Sequence, residues 1–186
     1  MEHFLVPTWC TFQFRRQLLK FAEEGEKEAQ YFLSLMLLKG IGIRKNLKKA
    51  FFWMKSSANK SYLQAEHDLA IFFYKGLGTK KDRKEAFKWY LKAAERGHSN
   101  AQYNIGVFYS KGIIGKRNRE EAVKWYMQSA EQGHIEACYN LGVAYQRGHG
   151  VDKNLLSAIY WYEKGVIVGH KNSIFNHAIC KFILGV

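Results

Sequence analysis

The sequence predicts an all-α solenoid of helix–turn–helix repeats, and three observations carry this prediction. First, tryptophans recur every 36 residues, at Trp53, Trp89, Trp125 and Trp161. Second, two alanine columns and one glycine column keep the same period; they are Ala29, Ala65, Ala101 and Ala137, then Ala50, Ala86, Ala122 and Ala158, then Gly40, Gly76, Gly112 and Gly148. Third, apolar residues within a period follow helical spacing. A period of this length is typical of two-helix repeats.

Each period resolves into two helices, which we call helix A and helix B. Helix A carries its apolar face through Ala101, Ile105 and Tyr109, and we expect it to end at Gly112, because glycine adopts the left-handed conformation that closes helices. Helix B is expected to begin at a column of N-cap residues, Asn46, Asp82, Asn118 and Asn154. The predicted organisation is an N-terminal segment with a capping helix (1–28), four repeats (29–64, 65–100, 101–136 and 137–172) and a C-terminal capping helix (173–186).

A column of small residues identifies where helices approach one another closely. It consists of Ser34, Ala70, Gly106, Gly142 and Ala178. Larger side chains at these positions would collide with the backbone of the neighbouring helix. Tyrosine and tryptophan are expected to fill the space between helix pairs.

Composition narrows the class of protein. A length of 186 residues suits one domain or one short repeat array, and a formal charge of +13 favours an acidic protein, nucleic acid or anionic lipid as partner. Three cysteines at irregular spacing fit neither a disulfide framework nor a zinc site. Residues 1–7 do not resemble a signal peptide, and no apolar run is long enough to span a membrane. A cytoplasmic location is expected, with a processed periplasmic or secreted chain as the open alternative.

The repeat itself resembles a known family. The segment from Ala101 to Tyr109, followed by Gly112 and by the run from Ala122 through Trp125 to Gly133, is similar to the Sel-one-like repeat, a relative of the tetratricopeptide repeat. The resemblance implies a right-handed α/α superhelix with helix A lining the concave side. It also implies adaptor function, which in bacteria includes toxin-neutralising proteins. A cysteine-rich secreted branch carries a disulfide in each repeat, and this sequence does not fit that branch.

Helix A supplies the candidate partner-binding surface on the side opposite its core. Three kinds of residue recur there, and Val107 lies on the same side: the rings of Tyr31, His67, Tyr103, Tyr139 and Phe175; the amides and acid of Asp68, Asn104, Asn140 and Asn176; and the bases Lys39, Lys75, Lys111 and Arg147. Side-chain amides can hold the backbone of an extended peptide, and the bases can select its carboxylates. The alternative is that the amides and bases are solvated consensus residues or helix caps.

A second basic column supports a different function. It lies in the loops between helices A and B and consists of Lys45, Lys81, Arg117 and Lys153. Such an edge could follow the phosphates of a nucleic acid, although no platform of stacking aromatic side chains accompanies it. Asparagine-to-alanine changes at 104 and 140 should damage the adaptor, and glutamate at 81, 117 and 153 should damage nucleic-acid binding.

The histidines and cysteines of the sequence do not predict catalysis or metal binding. His98, His134 and His170 are expected to form local hydrogen bonds, because equivalent residues of stacked repeats are too far apart to share a metal ion. Cys138 is interpreted as a packed side chain. No catalytic motif is present, so no catalytic residue, metal or cofactor is expected. Apolar residues of the last helix, Ile179, Phe182, Ile183 and Leu184, leave self-association open.

Overall fold

The computed structural model describes the backbone of residues 8–185 and the side chains of residues 13–185. The expectation about residues 1–7 and the side chain of Cys10 lie outside this range. Between residues 8 and 185 the chain forms ten α-helices and no strand. The helices are α1 (Thr8–Glu24), α2 (Lys27–Lys39), α3 (Leu47–Asn59), α4 (Leu63–Lys75), α5 (Arg83–Glu95), α6 (Ser99–Lys111), α7 (Arg119–Glu131), α8 (Ile135–Arg147), α9 (Leu155–Ile167) and α10 (Lys171–Leu184). The predicted all-helical class is confirmed.

The helix ends follow the expected local chemistry. Side chains of Asn46, Asn118 and Asn154 each accept a hydrogen bond from the backbone N–H three residues later. Asp82 accepts from the N–H groups of Lys84 and Glu85. At the other end, the glycines that close α2, α4, α6 and α8 all adopt the left-handed conformation, with φ between 64° and 77°. Even-numbered helices from α2 onward are therefore A helices, and odd-numbered helices are B helices.

Two compact units divide the chain, one up to Trp89 and one from Tyr90, with the boundary inside α5. In the first unit α1 packs on α2, α2 on α3 and α3 on α4. In the second unit the same order runs from α6 to α10, and α10 also contacts α8. Each unit thus stacks helix pairs in sequence order, with buried hydrophobic clusters between the stacked helices.

The small-residue column lies against tyrosine rings in the second unit. A Cβ atom added to Gly106 would lie 2.5 Å from Cε1 of Tyr126 on α7. Gly142 is covered in the same way by Tyr162 on α9. The sequence predicts small residues at these positions, and at Gly106 and Gly142 the atoms that a Cβ would meet first belong to a tyrosine ring rather than to the neighbouring backbone.

Helix starts differ from the predicted boundaries. Each A helix from α2 onward begins two residues before the predicted repeat boundary, and the N-terminal helix α1 begins at Thr8. His98 and His134 explain part of the shift, because each ring accepts a hydrogen bond from the N–H three residues later and so acts as N-cap. The local hydrogen bonds expected for these histidines are present.

The last helix leaves apolar side chains uncovered within its unit. Phe175, Phe182 and Ile183 of α10 are exposed. Self-association through this face remains a prediction. None of the helices in the described part of the chain is both long enough and apolar enough to cross a membrane.

Candidate functional site

The tyrosines of the predicted helix A surface pack on the start of the following repeat. The ring of Tyr103 stacks on His134, with centroids 4.5 Å apart, and Tyr139 meets His170 edge to face at 5.4 Å. Tyr31 meets Tyr62 in the same way in the first unit. These rings are half-buried, so they offer one face rather than a whole side chain to a partner.

The amide and acid column joins neighbouring helices. Asn140 of α8 hydrogen-bonds the hydroxyls of Tyr103 and Tyr126, and Asn176 of α10 donates to the hydroxyl of Tyr162 at 3.3 Å. Burial raises the pKa of Tyr126 to about 12, so this hydroxyl stays neutral at physiological pH. The column therefore links neighbouring helices through hydrogen bonds. Each side-chain amide still has donors or acceptors that these bonds do not use.

In the first unit the same column carries an acid. Asp68 accepts from the Tyr31 hydroxyl at 3.0 Å and lies 2.9 Å from Nδ1 of His67. Burial, followed by the charge of Asp68, raises the pKa of Tyr31. His67 is only 8% exposed and presents little surface to a partner. This arrangement places negative charge where the second unit has a neutral amide.

The remaining groove residues differ in accessibility. Val107 is partly buried against the core of the second unit, and Asn104 of α6 is half-buried. The four bases are exposed and occupy the last position of successive A helices; they are Lys39, Lys75, Lys111 and Arg147. A base at this position also interacts favourably with the carbonyl end of its own helix. Their placement is thus compatible with both the binding and the capping interpretations.

A concave cavity of about 270 Å³ lies between α6, α7 and α8 in the second unit. We call it the α6–α8 pocket. It is lined by Ser110, Arg117, Arg119, Ala122, Val123, Tyr126, Asn140, Val143, Ala144 and His149. A shallower depression of about 710 Å³, lined by Tyr109, Lys116, Asn118, Glu120 and Gly150, shares Arg117 and Arg119 with it. The pocket combines an aliphatic wall with hydroxyl and amide groups and a cationic rim.

Positive charge accumulates at the rim. The pKa of His149 is lowered by burial and then by the charges of Arg119, Arg147 and Arg117. No ion pair among residues 13–185 involves any of these three arginines. Guanidinium groups that form no ion pair within their own chain are suited to an anionic ligand, because each can form paired hydrogen bonds with a carboxylate.

The pocket exists because large side chains of the first unit are replaced by small ones. Phe51 and Phe72 lie 6.4 Å apart, centroid to centroid, in the core of the first unit. Two periods later the same positions hold Val123 and Ala144. Leu38 similarly corresponds to Ser110. Loss of this volume opens the space that the structure shows as a cavity.

Sequence reasoning found part of this pocket and missed the rest. Asn140 came from the predicted groove and Arg117 from the predicted edge, and the structure brings the two together. Arg119 and His149 were missed. A signal for His149 is present in the sequence, since the two preceding periods have Leu77 and Ile113 at its position.

The other edge residues do not line the α6–α8 pocket. Lys45 borders a separate cavity of about 700 Å³ in the first unit, lined mainly by α1, α2 and α3 with Phe52 and Trp53. Lys81 lies over the ring of Tyr74, at 5.9 Å from the centroid. Lys153 is exposed. Each unit thus carries basic edge residues, and in the second unit Arg117 also lines the α6–α8 pocket.

The described histidines and cysteines do not gather into a metal-binding group. Among these residues, no group of three His, Cys, Asp or Glu side chains could hold a metal ion. Cys138 is fully buried, its thiol donates to the carbonyl of Ala130 at 3.8 Å, and burial raises its pKa. A buried thiol with a raised pKa is a poor nucleophile.

Comparisons with known proteins agree with this architecture. The family model described as Sel1 repeat matches residues 27–62, 63–98, 99–134 and 135–166. A protective antigen of uropathogenic Escherichia coli strains with an SLR fold is 36% identical, with a TM-score of 0.81, and the match covers 83% of this chain and 33% of the antigen. A Sel1 repeat protein from Oxalobacter formigenes is 30% identical, with a TM-score of 0.80 and coverage of 86% and 46%.

A more distant match shows the fold alone. Cysteine rich protein B of Helicobacter pylori is 24% identical, with a TM-score of 0.54, and the match covers 69% of this chain and 96% of that protein. No curated protein matches the sequence. The chain spans less than half of the Escherichia coli and Oxalobacter proteins that it resembles.

Proposed function

Because this chain belongs to the Sel1-repeat family, we propose that it is a non-enzymatic scaffold that binds an acidic, extended segment of a partner protein. Sel1 repeats mediate protein–protein interaction, and the family is generally non-enzymatic. Stacked repeats suit this function because they present the same kind of surface several times along one direction, which matches the shape of an extended chain.

The observation that carries the proposal is the group of guanidiniums at the α6–α8 pocket. Arg117 and Arg119 line the pocket, Arg147 acts with them on His149 from outside it, and none of the three forms an ion pair within the described residues. Like charges held near one another cost free energy, and an acidic ligand offsets that cost. The overall charge of +13 would in addition accelerate association with an acidic partner, in a manner that salt weakens.

Half-buried groups next to the pocket support an extended ligand. Asn140 lies in the pocket wall, and its amide keeps hydrogen-bonding capacity beyond its two tyrosine partners. Tyr103 presents an aromatic face on the adjacent α6. A peptide backbone that crosses α6 and α8 could use both groups without a requirement for particular side chains.

An affinity capture with matched charge variants tests the proposal. The bait is the full chain as wild type, as Arg117→Glu/Arg119→Glu, and as Lys81→Glu/Lys153→Glu. Both variants remove the same net charge, so a purely nonspecific charge effect is equal in the two. Nuclease-treated lysate is passed over each form at low and at high salt, and the affinity of the retained protein is then measured with purified components.

The expected result is a protein, retained after nuclease treatment, that binds wild type and the lysine variant but loses at least about tenfold in affinity for the arginine variant, or about 1.4 kcal/mol. Identification of that protein would also show whether the partner is a toxin. Capture that disappears with nuclease would move the function to nucleic-acid binding. Equal retention by wild type and the arginine variant would contradict the proposed surface.

A further inference from the structure

We infer that the α6–α8 pocket binds one carboxylate-bearing residue of a peptide, either an acidic side chain or a chain terminus, and buries its aliphatic part. This inference rests on the proposed function and adds to it a defined site and ligand group. Binding of this residue in the pocket would fix the register of the bound peptide along the repeats.

The volume of the pocket fits a single residue. Pockets for cofactors and drug-sized ligands typically measure about 300–1,000 Å³. At about 270 Å³ the α6–α8 pocket lies just below that range. It nevertheless holds the volume of about nine water molecules, at ~30 Å³ each, and is therefore larger than a bound ion needs.

The chemistry of the walls selects a carboxylate on an apolar stem. Val123, Val143 and Ala144 form an aliphatic surface that gains from covering methylene groups. Arg117 and Arg119 lie at the cationic rim, where a carboxylate can pair with them. A polar anion with no apolar stem would leave the aliphatic wall exposed to water.

The polar part of the wall does not oppose a negative ligand. The hydroxyls of Ser110 and Tyr126 lie 3.0 Å apart and share a hydrogen bond. Asn140 contributes a neutral amide, whereas the first unit has Asp68 at the equivalent position. No acidic residue lines the pocket itself.

The first unit provides an internal control for this site. Its equivalent positions hold Leu38, Phe51 and Phe72, which fill the space, and Asp68, which would repel a carboxylate. The pocket is therefore not a general consequence of the repeat. It arises from the substitutions that distinguish the third and fourth repeats from the first and second.

A nucleic-acid phosphate is a poorer fit to the same site. A phosphodiester carries a sugar on each side, so its charge cannot enter a cavity of this size without both neighbours. A carboxylate at the end of a side chain or of a peptide enters from one direction only. We therefore treat an oligonucleotide as a competitor in the test rather than as the ligand.

The test measures binding of three labelled peptides to the full-length chain by fluorescence anisotropy. The first peptide has one glutamate and an amidated C-terminus, the second has glutamine in its place, and the third has glutamine with a free C-terminal carboxylate. Val123→Phe fills the pocket with the residue found at position 51 and leaves every charge in place. Ser110→Leu does the same with the residue at position 38. Val168→Phe is the matched control, because Val168 is exposed and lies outside the pocket.

Wild type and Val168→Phe should bind one of the acidic peptides at least about tenfold more tightly than the glutamine peptide, and the acidic peptide that binds identifies the source of the carboxylate. Val123→Phe and Ser110→Leu should abolish this difference while retaining the helical melting transition. A second outcome is that Val123→Phe and Ser110→Leu bind the peptides like wild type, whereas Arg117→Glu/Arg119→Glu does not. The carboxylate would then bind on the open surface, so the inference about the pocket would fail and the proposed function would stand. No preference for either acidic peptide in wild type, or equal displacement by an oligonucleotide, refutes both.

Discussion

Replacement of Gly106 by alanine should destabilise the protein although alanine is the better helix former. The added Cβ would lie 2.5 Å and 2.6 Å from Cε1 and Cδ1 of Tyr126, where carbon atoms prefer about 3.5–4.0 Å. Overpacking of this kind costs about 1–3 kcal/mol, and the gain in helix propensity returns about 1 kcal/mol. A net loss of up to about 2 kcal/mol lowers the melting temperature by up to roughly 8 °C for a chain of this size.

The effect on binding separates two consequences of this change. To relieve the overlap, the Tyr126 ring has to move away from α6, which disturbs its hydrogen bond to Ser110 and reshapes the α6–α8 pocket. Gly142→Ala is the control, because it forces the same collision with the buried Tyr162, which does not line the pocket. Both variants should lose stability in circular dichroism melts, and only Gly106→Ala should also bind the acidic peptide more weakly. A melting temperature for Gly106→Ala above that of wild type would falsify the packing argument.

Three further predictions concern caps and burial. Nδ1 of His134 accepts from the N–H of Ala137 at 3.3 Å, and burial lowers the pKa of His134 in the folded protein. As the pH falls, His134 is therefore protonated in the unfolded chain before it is protonated in the folded one. The free energy of unfolding should decrease as the pH drops through about 6.5. Melting temperatures across that range should show a slope that His134→Asn reduces; an unchanged slope contradicts the assignment. Asn118→Ala should cost about 1 kcal/mol, because Asn118 caps α7 through the N–H of Glu121, and Asn118→Ser should retain most of that stability in the same melts. The thiol of Cys138 should resist iodoacetamide until the chain unfolds, and rapid modification of the native protein, read by mass spectrometry, would contradict its burial.

Much of the fold follows from sequence because its signals are local and repeated. The N-cap at Asn118 and the left-handed glycine at Gly112 each act within one turn of helix, so their effect is visible in the sequence. The starts of the A helices were less predictable. His98 and His134 cap through a ring nitrogen, and histidine is not among the residues that favour this role in general.

The candidate site is harder to predict because the pocket forms where side chains are smaller than those at the equivalent positions of the first unit. Columns shared by every repeat identify Asn140, but the pocket arises where columns change, at Val123 and Ala144. A sequence shows that phenylalanine has become valine, yet only packing shows whether neighbouring side chains close the gap. Tyr103 illustrates the reverse case. Its column suggests an open binding surface, whereas stacking on His134 covers one face of its ring.

Placement of Arg117 changes how the two candidate functions must be separated. The sequence assigns Arg117 to a nucleic-acid edge and Asn140 to a peptide groove, and it suggests substitutions in each set as opposing tests. In the structure both residues line the α6–α8 pocket, so a change at either one affects a peptide bound there. Asn140→Ala would also break hydrogen bonds to two tyrosines and lower stability. Lys81 and Lys153, which do not line the pocket, can report on the edge alone, and Val123→Phe can report on the pocket without a change in charge.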